Sequence, residues 1–450
     1  MKTLIVHGAQ PLGGTVEPAG NKNAALPLLT AGLLADAGLM LCNVPEILDT
    51  ARQIELLRAV GARVEQQGGS VSVSAGELRP FAPSAACAAV RTAPLLAAPL
   101  LVRTGRASIG RPGGDRIGRR RLDTHFLALR ALGARVDVVG DRYELSTRGL
   151  RGADIFLDEA SVTGTAQAIL AAVLADGTSV IDNAAAEPHI QSLCLALNAM
   201  GADISGAGSH RLEIRGVASL GAARVRIPPD HIEVGSWIAL AAATGARLRI
   251  LRAQPDQQRI TSAVFARLGV SVCVAGQDLI VPGAQRLDAR CDIDGAEAKI
   301  DDLPWPGFPA DLISVAVALA TRARGRTLVH QRLFDARLGF VRELRRMGAR
   351  IDTLDAHRVR VHGGARLRGA RVRAPDIRAG MALLIAALCA DGETRIEGAE
   401  QLERGYARLL PRLRELGAQV SVTATDPRAA RRIWVPPGRG LLNTLLRSGA

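Results

Sequence analysis

The residues best suited to chemistry lie between Pro112 and Asp123, in the sequence Pro-Gly-Gly-Asp-Arg-Ile-Gly-Arg-Arg-Arg-Leu-Asp. Asp115 follows two glycines there and precedes three consecutive arginines. Glycines give the backbone conformational freedom, guanidinium groups bind phosphate or carboxylate through paired hydrogen bonds, and a carboxylate can carry a proton. The spacing predicts a loop that closes over an anion. A solvated surface turn with a charge run would have the same pattern.

A lysine near the amino terminus is the second candidate. Lysine occurs only at Lys2, Lys22 and Lys299 although the net charge is +14, so arginine supplies nearly all the positive charge. Lys22, inside Gly-Asn-Lys-Asn, is therefore either a compact ammonium group with a chemical role or a lysine that was retained by chance. Aromatic residues make up 3% of the chain, and without aromatic stacking platforms or a recognised binding motif we predict no nucleic-acid partner.

Composition sets the broad class. A chain of 450 residues with 48% hydrophobic content predicts a globular protein of two or more domains. The start of the chain is not typical of a signal peptide, and no apolar run reaches the roughly 20 residues that a membrane span needs. The six cysteines lack metal-ligand spacing. We therefore predict a cytoplasmic protein without metal or membrane attachment, whose cysteines are mostly reduced core residues.

The chain repeats one pattern six times. In each copy a helical apolar pattern ends at a glycine, and an apolar strand pattern follows that glycine. Successive copies lie about 70 residues apart. This glycine is typical of the residue that stops a helix. The glycines are Gly61, Gly133, Gly201, Gly269, Gly348 and Gly417.

Each unit is predicted to be β-α-β-α-β-β. Hairpins are predicted at 62–73 and 135–145, and buried helices rich in alanine and leucine at 24–35, 166–175 and 379–390. Six units fit two lobes of three, with the buried helices pointing their amino termini at the cleft between the lobes. Helix dipoles there favour an anion. A repeat scaffold without catalysis would show the same periodicity.

Six short motifs together resemble the enolpyruvyl transferases, and within them the branch that acts on UDP-N-acetylglucosamine in peptidoglycan synthesis. The resemblance covers residues 1 to about 422. It implies a two-lobed inside-out α/β barrel, with residues 1–21 and 230–422 in the first lobe and 22–229 in the second. Residues 423–450 extend past the usual family length and are rich in arginine, glycine and proline, so we predict a flexible tail there. The motifs are Asn21–Leu26, Pro112–Asp115, Asn183–Pro188, Phe308–Asp311, Asp376–Gly380 and Arg404–Tyr406.

The resemblance also implies a reaction. Phosphoenolpyruvate gives its enolpyruvyl group to a hydroxyl of the acceptor, and phosphate leaves, without a cofactor. Asp311 would take the hydroxyl proton and Asp115 would supply one, while Lys22 serves both binding and catalysis. We expect a monomer or weak oligomer. The residues implied to bind phosphoenolpyruvate are Lys22, Arg91, Arg120, Arg337, Arg378 and Arg404.

The acceptor side departs from the usual family pattern. The family usually has Ser-Val-Gly-Ala-Thr where residues 161–165 are Ser-Val-Thr-Gly-Thr, proline at the place of Arg121, and arginine at the place of His231. A different hydroxyl acceptor, such as a nucleoside or nucleotide of secondary metabolism, therefore stays open. The residues implied to bind the acceptor are Asn23, Arg121, Leu122, Asp123, Ser161, Val162, Thr163, Gly164, Asp311, Leu333 and Phe334.

The loop itself departs from the pattern, because most members carry cysteine where this chain has Asp115. Inhibitors of the fosfomycin type alkylate that cysteine, so the resemblance implies fosfomycin resistance. An aspartate beside arginines is expected to be ionised, so acting as an acid requires a closed, water-poor cleft. A catalytically silent regulatory relative is the third reading. Retention of both Asp115 and Asp311 beside an anion site argues against it.

Overall fold

The computed structural model describes residues 2–115 and 117–424. Within those ranges the strands form six four-stranded sheets. In the unit from Asp154 to Arg215 the first strand pairs parallel with the second, and the second and third strands both pair antiparallel with the fourth. The other sheets have the same order of strand roles. The predicted β-α-β-α-β-β module is confirmed.

Three sheets belong to the part of the chain between residues 22 and 229. In spatial order their strands are Ala223–Arg226, Leu39–Cys42, Ser70–Ser74 and Arg63–Gln67; Phe81–Ala82, Arg106–Gly110, Arg142–Ser146 and Arg135–Val139; and Asp154–Phe156, Thr178–Asp182, Arg211–Arg215 and Asp203–Ser205.

Three further sheets come from the rest of the chain, and the first and last strands meet in one of them. Their strands are Cys273–Ala275, Asp278–Val281, Arg247–Ile250 and Gly13–Val16; Ala298–Asp301, Arg326–His330, Arg358–His362 and Arg350–Thr353; and Arg371–Arg373, Glu393–Glu397, Lys2–His7 and Gln419–Ala424.

The helices of each unit alternate between a buried inner one and an outer one. The α-helices are Lys22–Ala31, Leu48–Ala59, Ser84–Ala89, Ala97–Thr104, Asp123–Ala131, Val162–Ala172, Pro188–Ala199, His231–Thr244, Arg259–Ala266, Ile313–Ala320, Val341–Arg346, Ile377–Cys389 and Leu409–Glu415. Short 3-10 turns lie at Gly32–Leu34, Ala93–Leu96, Pro255–Gln258, Ala310–Leu312, Arg337–Phe340 and Ala399–Arg404.

The helix-stopping glycines adopt the backbone conformation that the sequence predicted. Their φ angles lie between 85° and 100°, a left-handed region that glycine enters without the steric cost of a Cβ. Each one turns the chain from an outer helix into the next strand. The predicted role of these glycines is confirmed at all six positions: Gly61, Gly133, Gly201, Gly269, Gly348 and Gly417.

The inner helices begin two to four residues earlier than the apolar pattern predicted. The helix predicted from residue 24 begins at Lys22, and the one predicted from residue 379 begins at Ile377. Their first turns carry polar residues because those turns face the cleft. Side chains of Asn21 and Asp376 cap these two helices by accepting hydrogen bonds from backbone N–H groups in the first turn.

The buried apolar side chains form two separate clusters. One joins Leu4, Val6 and Val16 to residues from Ile232 onward, and the other spans Ala24 to Ile227. The chain passes between them twice, side by side, where Asn21 N donates to Pro228 O at 2.8 Å and Asp230 N donates to Ala19 O at 2.9 Å. We propose that the clusters are the cores of two lobes with boundaries near residues 21 and 229.

Two expectations need correction. Residues 423 and 424 are not part of a tail, because Thr3 and Lys2 pair with them and extend the last strand to Ala424; the remainder of the predicted tail, 425–450, lies outside the described residues. The cysteines are free but not mostly buried. Cys273 and Cys291 are exposed, since their strand and loop lie at the surface.

No helix in the described ranges combines the length and apolar character of a membrane span.

Candidate active site

The amino termini of the inner helices place the predicted site residues at one cleft. Lys22 is the first residue of its helix, Arg378 is the second residue of another, and Asp311 lies in the 3-10 turn that leads into Ile313–Ala320. Unpaired backbone N–H groups and the helix dipoles make this end of each helix favourable for anions. The repeat therefore brings residues far apart in sequence to one electropositive surface.

Asp311 lies between two buried arginines. Its Oδ1 accepts a hydrogen bond from Arg337 Nη2 at 2.8 Å, and its Oδ2 accepts from Arg378 Nη2 at 2.9 Å and Nε at 3.2 Å. Both arginine side chains are only 3% exposed. Arg378 also stacks over the ring of Tyr406, with 5.5 Å between its Cζ and the ring centroid.

The charges around Asp311 decide its protonation. Burial acts to raise the pKa of Asp311, but Arg378, Arg337 and Lys22 together outweigh burial and hold it well below the usual range of a carboxyl. Asp311 is thus an ionised carboxylate in the closed cleft. An anionic substrate that took over these cations would raise the basicity of Asp311 at the moment when a base is needed.

A second network joins the loop to both lobes through Arg404. Arg404 Nη1 donates to Asp115, while its Nε donates to Asp49 Oδ1 at 2.9 Å. Lys22 Nζ lies 3.5 Å from Asp49 Oδ2. Asp115 and Arg404 are mostly buried, as are Asp49 and Lys22. Asp115 therefore sits in the cationic cluster, within direct reach of a residue predicted to bind phosphoenolpyruvate.

The glycine loop is closed against the opposite lobe. Ala336 N donates to Ile117 O at 3.3 Å. A Cβ on Gly118 would come within 3.0 Å of both Asp335 N and Asp335 Cβ, and the φ of Gly118 is +113°. Only glycine allows this approach without displacing the neighbouring backbone.

Arg91 and Arg120 differ in what they do at the loop. Arg91 Nη2 donates to the backbone carbonyls of Arg120, at 2.9 Å, and Arg121, at 3.4 Å. Burial lowers the pKa of Arg91 to about 10, still high enough to keep its charge. Burial also lowers the pKa of Arg120, opposed by Asp115 and Asp311 and reinforced by Arg337 and Arg404. Arg120 thus interacts electrostatically with the charges of the cluster, while Arg91 stabilises the loop by donating hydrogen bonds to its backbone carbonyls.

The acceptor-side residues gather at another helix start. Ser161 caps the helix that begins at Val162, with its Oγ accepting from Gly164 N at 3.2 Å, and Thr163 Oγ1 lies 2.9 Å from His125 Nε2. Arg121 pairs with Asp158 at 2.8 Å and with Asp123 at 3.3 Å. Loop and helix thus form one polar wall with exposed charges.

The remaining predicted acceptor residues lie on two sides of the cluster. Phe334 packs under Arg337, with 4.8 Å from Arg337 Cζ to its ring centroid, and Leu333 N donates to the buried Asp302 at 3.1 Å. Asn23, in the first turn of the Lys22 helix, is half-buried, and Leu122 is buried beside the loop. Their assigned roles stay predictions.

Comparison with known proteins agrees with this arrangement. The profile of a family described as EPSP synthase (3-phosphoshikimate 1-carboxyvinyltransferase) matches residues 6–413. A UDP-N-acetylglucosamine 1-carboxyvinyltransferase of Bradyrhizobium diazoefficiens is 49% identical over 422 residues, covering 92% of this chain and 97% of that protein. The chain belongs to the enolpyruvyl transferase family. A protein of the same description from Treponema denticola is 45% identical, covering 94% of this chain and 99% of its own.

Solved structures support the fold of this enolpyruvyl transferase. The enolpyruvyl transferase NikO from Streptomyces tendae superimposes with a TM-score of 0.83 at 26% identity, covering 94% of this chain and 99% of its own. An EPSP synthase from Acinetobacter baumannii gives a TM-score of 0.71 at 17% identity, covering 94% of this chain and 100% of its own. The second similarity shows the fold alone.

Sequence reasoning missed three residues of the cleft. Asp49 joins Lys22 to Arg404, yet an aspartate in the first turn of an outer helix looks like an ordinary solvated helix start. His189 and His231 are buried beside Asp311. The altered motif around His231 was the available signal for that residue.

We expect Asp49→Asn to raise the KM for phosphoenolpyruvate by roughly tenfold while changing kcat less, because Lys22 and Arg404 lose the charge that holds them together. Steady-state kinetics with varied phosphoenolpyruvate measures this. Asp36→Asn is the matched control, since Asp36 forms an exposed pair with Arg103 away from the cleft. An unchanged KM would mean that Asp49 does not position these cations.

The cluster also predicts ligand-driven closure. Lys22, Arg120, Arg337, Arg378 and Arg404 come from both lobes and converge on one cluster. A substrate anion bound among these cations offsets their mutual repulsion and holds the lobes together. We expect small-angle scattering to give a smaller radius of gyration with both substrates bound than without ligand. Equal radii, with equal trypsin cleavage at Arg119–Arg121 under saturation, would contradict closure.

Proposed function

We propose that the protein transfers the enolpyruvyl group of phosphoenolpyruvate to a hydroxyl of UDP-N-acetylglucosamine and releases phosphate. The observation that carries this proposal is the buried ion cluster in which Asp311 and Asp115 lie among Arg337, Arg378 and Arg404. Such a cluster suits a small ligand that carries both a phosphate and a carboxylate. In this proposal the reaction takes place in the cytoplasm as the first committed step of peptidoglycan precursor synthesis.

The carboxylates divide the proton chemistry between them. Asp311 takes the proton of the acceptor hydroxyl as its oxygen bonds to C2 of phosphoenolpyruvate, and a proton is added to the C3 methylene carbon. In the second step C3 loses a proton and the bond from C2 to the phosphate oxygen breaks. Asp115, on the loop, supplies the C3 proton or assists the departure of phosphate. The cations stabilise the negative charge of the leaving phosphate.

The reaction cycle needs Asp115 to be protonated in one step. Arg404 donates a hydrogen bond to Asp115. Phosphate and carboxylate groups of the substrate would compete with Asp115 for this guanidinium, so substrate binding and the proton transfer by Asp115 involve the same contact.

The acceptor assignment rests on the relatives and on the wall of the cleft. Proteins described as UDP-N-acetylglucosamine 1-carboxyvinyltransferases are 42% to 49% identical over more than nine-tenths of the chain. The helix start at Ser161, together with Arg121, offers backbone N–H groups and a guanidinium to a diphosphate. Because these N–H groups belong to the backbone, phosphate binding at this helix start does not depend on which side chain residue 163 carries.

A second candidate acceptor is a nucleoside or nucleotide other than a nucleotide sugar. It is favoured by Thr163-Gly164 at the helix start and by Arg121 in place of proline. Arg121 pairs with Asp158 and Asp123, so part of its charge is already neutralised.

Phosphate release from phosphoenolpyruvate tests both candidates in one assay. The acceptors are UDP-N-acetylglucosamine, UMP, uridine and shikimate 3-phosphate. We expect release only with UDP-N-acetylglucosamine, and mass spectrometry should find the enol ether product. Release with UMP or uridine in its place would favour the second candidate, and release with none would favour a silent relative.

A further inference from the structure

Two buried histidines from different core clusters face each other beside Asp311. His189 is the second residue of the helix Pro188–Ala199, and His231 is the first residue of the helix His231–Thr244. Each is 4% exposed. Their rings are nearly parallel, at an interplanar angle of 14°, with 6.0 Å between the centroids. The ring centroids of Trp305 and His231 lie 6.0 Å apart, and the two ring planes meet at 71°.

The hydrogen-bonding state of His231 is fixed by the helix cap next to it. Asn21 Oδ1 accepts from Ala24 N at 3.0 Å, so its Nδ2 is the atom that faces His231 Nδ1, at 3.0 Å. An amide nitrogen donates, and His231 Nδ1 therefore accepts. In the neutral ring the proton is on Nε2. Burial lowers the pKa of His231, so the neutral form is the relevant one.

His189 has no such partner. Both of its ring nitrogens are buried without a hydrogen bond to any described residue. Burial, aided by His231, lowers the pKa of His189 to about 3, although Asp311 acts in the opposite direction. The ring is neutral, with one donor and one acceptor left over. Buried polar atoms are rarely left unsatisfied, because each one costs free energy.

The unsatisfied atoms of His189 are not isolated. Within the described residues, Arg337 Nε and Arg378 Nη1 are also buried without partners, and both arginines bind Asp311. Glu187 Oε2, two residues before His189, is buried and unpartnered as well. The two arginine side chains bind the carboxylate proposed as the base, and that carboxylate also acts on the pKa of His189. A polar ligand in the cleft is the natural partner for them.

We propose that His189, backed by His231, is a specificity-determining residue that hydrogen-bonds an uncharged polar group of the acceptor next to the hydroxyl that reacts. A neutral imidazole offers one donor and one acceptor, which suits a hydroxyl or an amide. A phosphate would be served by the arginines nearby instead. The inference rests on the proposed transfer to a nucleotide sugar, whose acetamido and hydroxyl groups fit this chemistry.

Kinetics of two variants test the subsite. His189→Leu removes both polar atoms and should raise the KM for UDP-N-acetylglucosamine at least tenfold, with kcat and the KM for phosphoenolpyruvate changed less than about threefold. His189→Gln keeps a donor and an acceptor and should recover most of the loss. His7→Asn is the control, because His7 lies half-exposed on the first strand.

Acceptor analogues identify the group that His189 contacts. UDP-glucose lacks the acetamido group, and UDP-N-acetylgalactosamine differs in the orientation of one sugar hydroxyl. The penalty of His189→Leu should shrink with the analogue that lacks the contacted group. A penalty that is equal for all three acceptors, or absent for UDP-N-acetylglucosamine, would overturn the subsite while the proposed function stands.

A measurement on the native protein tests the subsite even if the His189→Leu variant does not fold. Side-chain NMR of histidine-labelled native protein should show the His189 ring shifting on addition of UDP-N-acetylglucosamine, with His189→Gln giving the assignment and His7 unmoved. An unshifted ring under saturation would overturn the subsite. If the native enzyme releases no phosphate with UDP-N-acetylglucosamine, the proposed function fails, and the subsite for this sugar fails with it.

Discussion

Replacing Asp311 with asparagine is expected to lower turnover by roughly 10² to 10⁴, the range typical of lost general-base catalysis. The asparagine keeps the size of the side chain and a hydrogen-bond acceptor for one arginine, but it cannot take a proton. Binding of phosphoenolpyruvate should be unchanged or tighter, because Asp311 no longer competes for Arg337 and Arg378. Turnover and equilibrium binding, measured on the same preparation, separate these two effects.

The pH dependence gives Asp311 a second test. Its pKa is held well below the usual range, chiefly by Arg378 and Arg337 against the effect of burial. A lowered carboxyl pKa means that the ionised form persists as the pH falls, so kcat/KM should show no acid limb near pH 4 from Asp311. Asp355→Asn is the control, since Asp355 forms an exposed pair with Arg358. Near-normal turnover of Asp311→Asn would remove Asp311 from the base role.

Much of the fold followed from local rules. Glycines at helix ends and alternating strand patterns are set by backbone sterics and side-chain periodicity, so Gly133 and the hairpin at 135–145 could be predicted without tertiary information. Helix starts were placed late because polar residues there resemble loop residues. Their helical state depends on caps such as Asn21 and on the cleft that they face.

The candidate site divides in the same way. Lys22, Asp115 and Asp311 were predicted through motifs, and the structure brings them into one cluster. Asp49 was not predicted, because its importance arises only when the opposite lobe brings Arg404 to it. His189 directly follows the motif Asn183–Pro188 but was assigned no role, because its burial against His231 depends on how the two lobes pack. Contacts between distant units therefore remained beyond the sequence.

Asp115 carries the second large prediction, resistance to fosfomycin-type epoxides. These inhibitors alkylate a loop cysteine in most of the family, a reaction that needs a nucleophilic thiolate. The described cysteines lie at other positions than this loop, and a carboxylate is a much poorer nucleophile toward an epoxide. We expect the native enzyme to keep its activity after prolonged exposure to the inhibitor, measured by phosphate release.

Asp115→Cys should restore time-dependent inactivation and keep measurable transferase activity, because a thiol can also carry a proton in a closed cleft. The ordinary pKa is about 4 for a carboxyl and about 8.5 for a thiol, so the basic limb of the pH–rate profile should move to higher pH. Asp115→Asn cannot supply a proton and loses the ion pair with Arg404. Its turnover should fall sharply.

Mass spectrometry of inhibitor-treated protein shows whether the inhibitor has formed a covalent bond to the loop or only binds to the protein tightly. The Asp115→Cys variant should gain one inhibitor mass on the loop peptide, in step with its loss of activity, while the native enzyme should gain none. An inactivating adduct on the native enzyme, or full activity of Asp115→Asn, would show that Asp115 does not hold the catalytic position on the loop. Arg404 binds both Asp115 and Asp49, so the Asp115→Asn variant can also show whether the proton or only the loop contact matters. If scattering still shows closure of this variant while its turnover is lost, the loss of turnover is due to the missing proton.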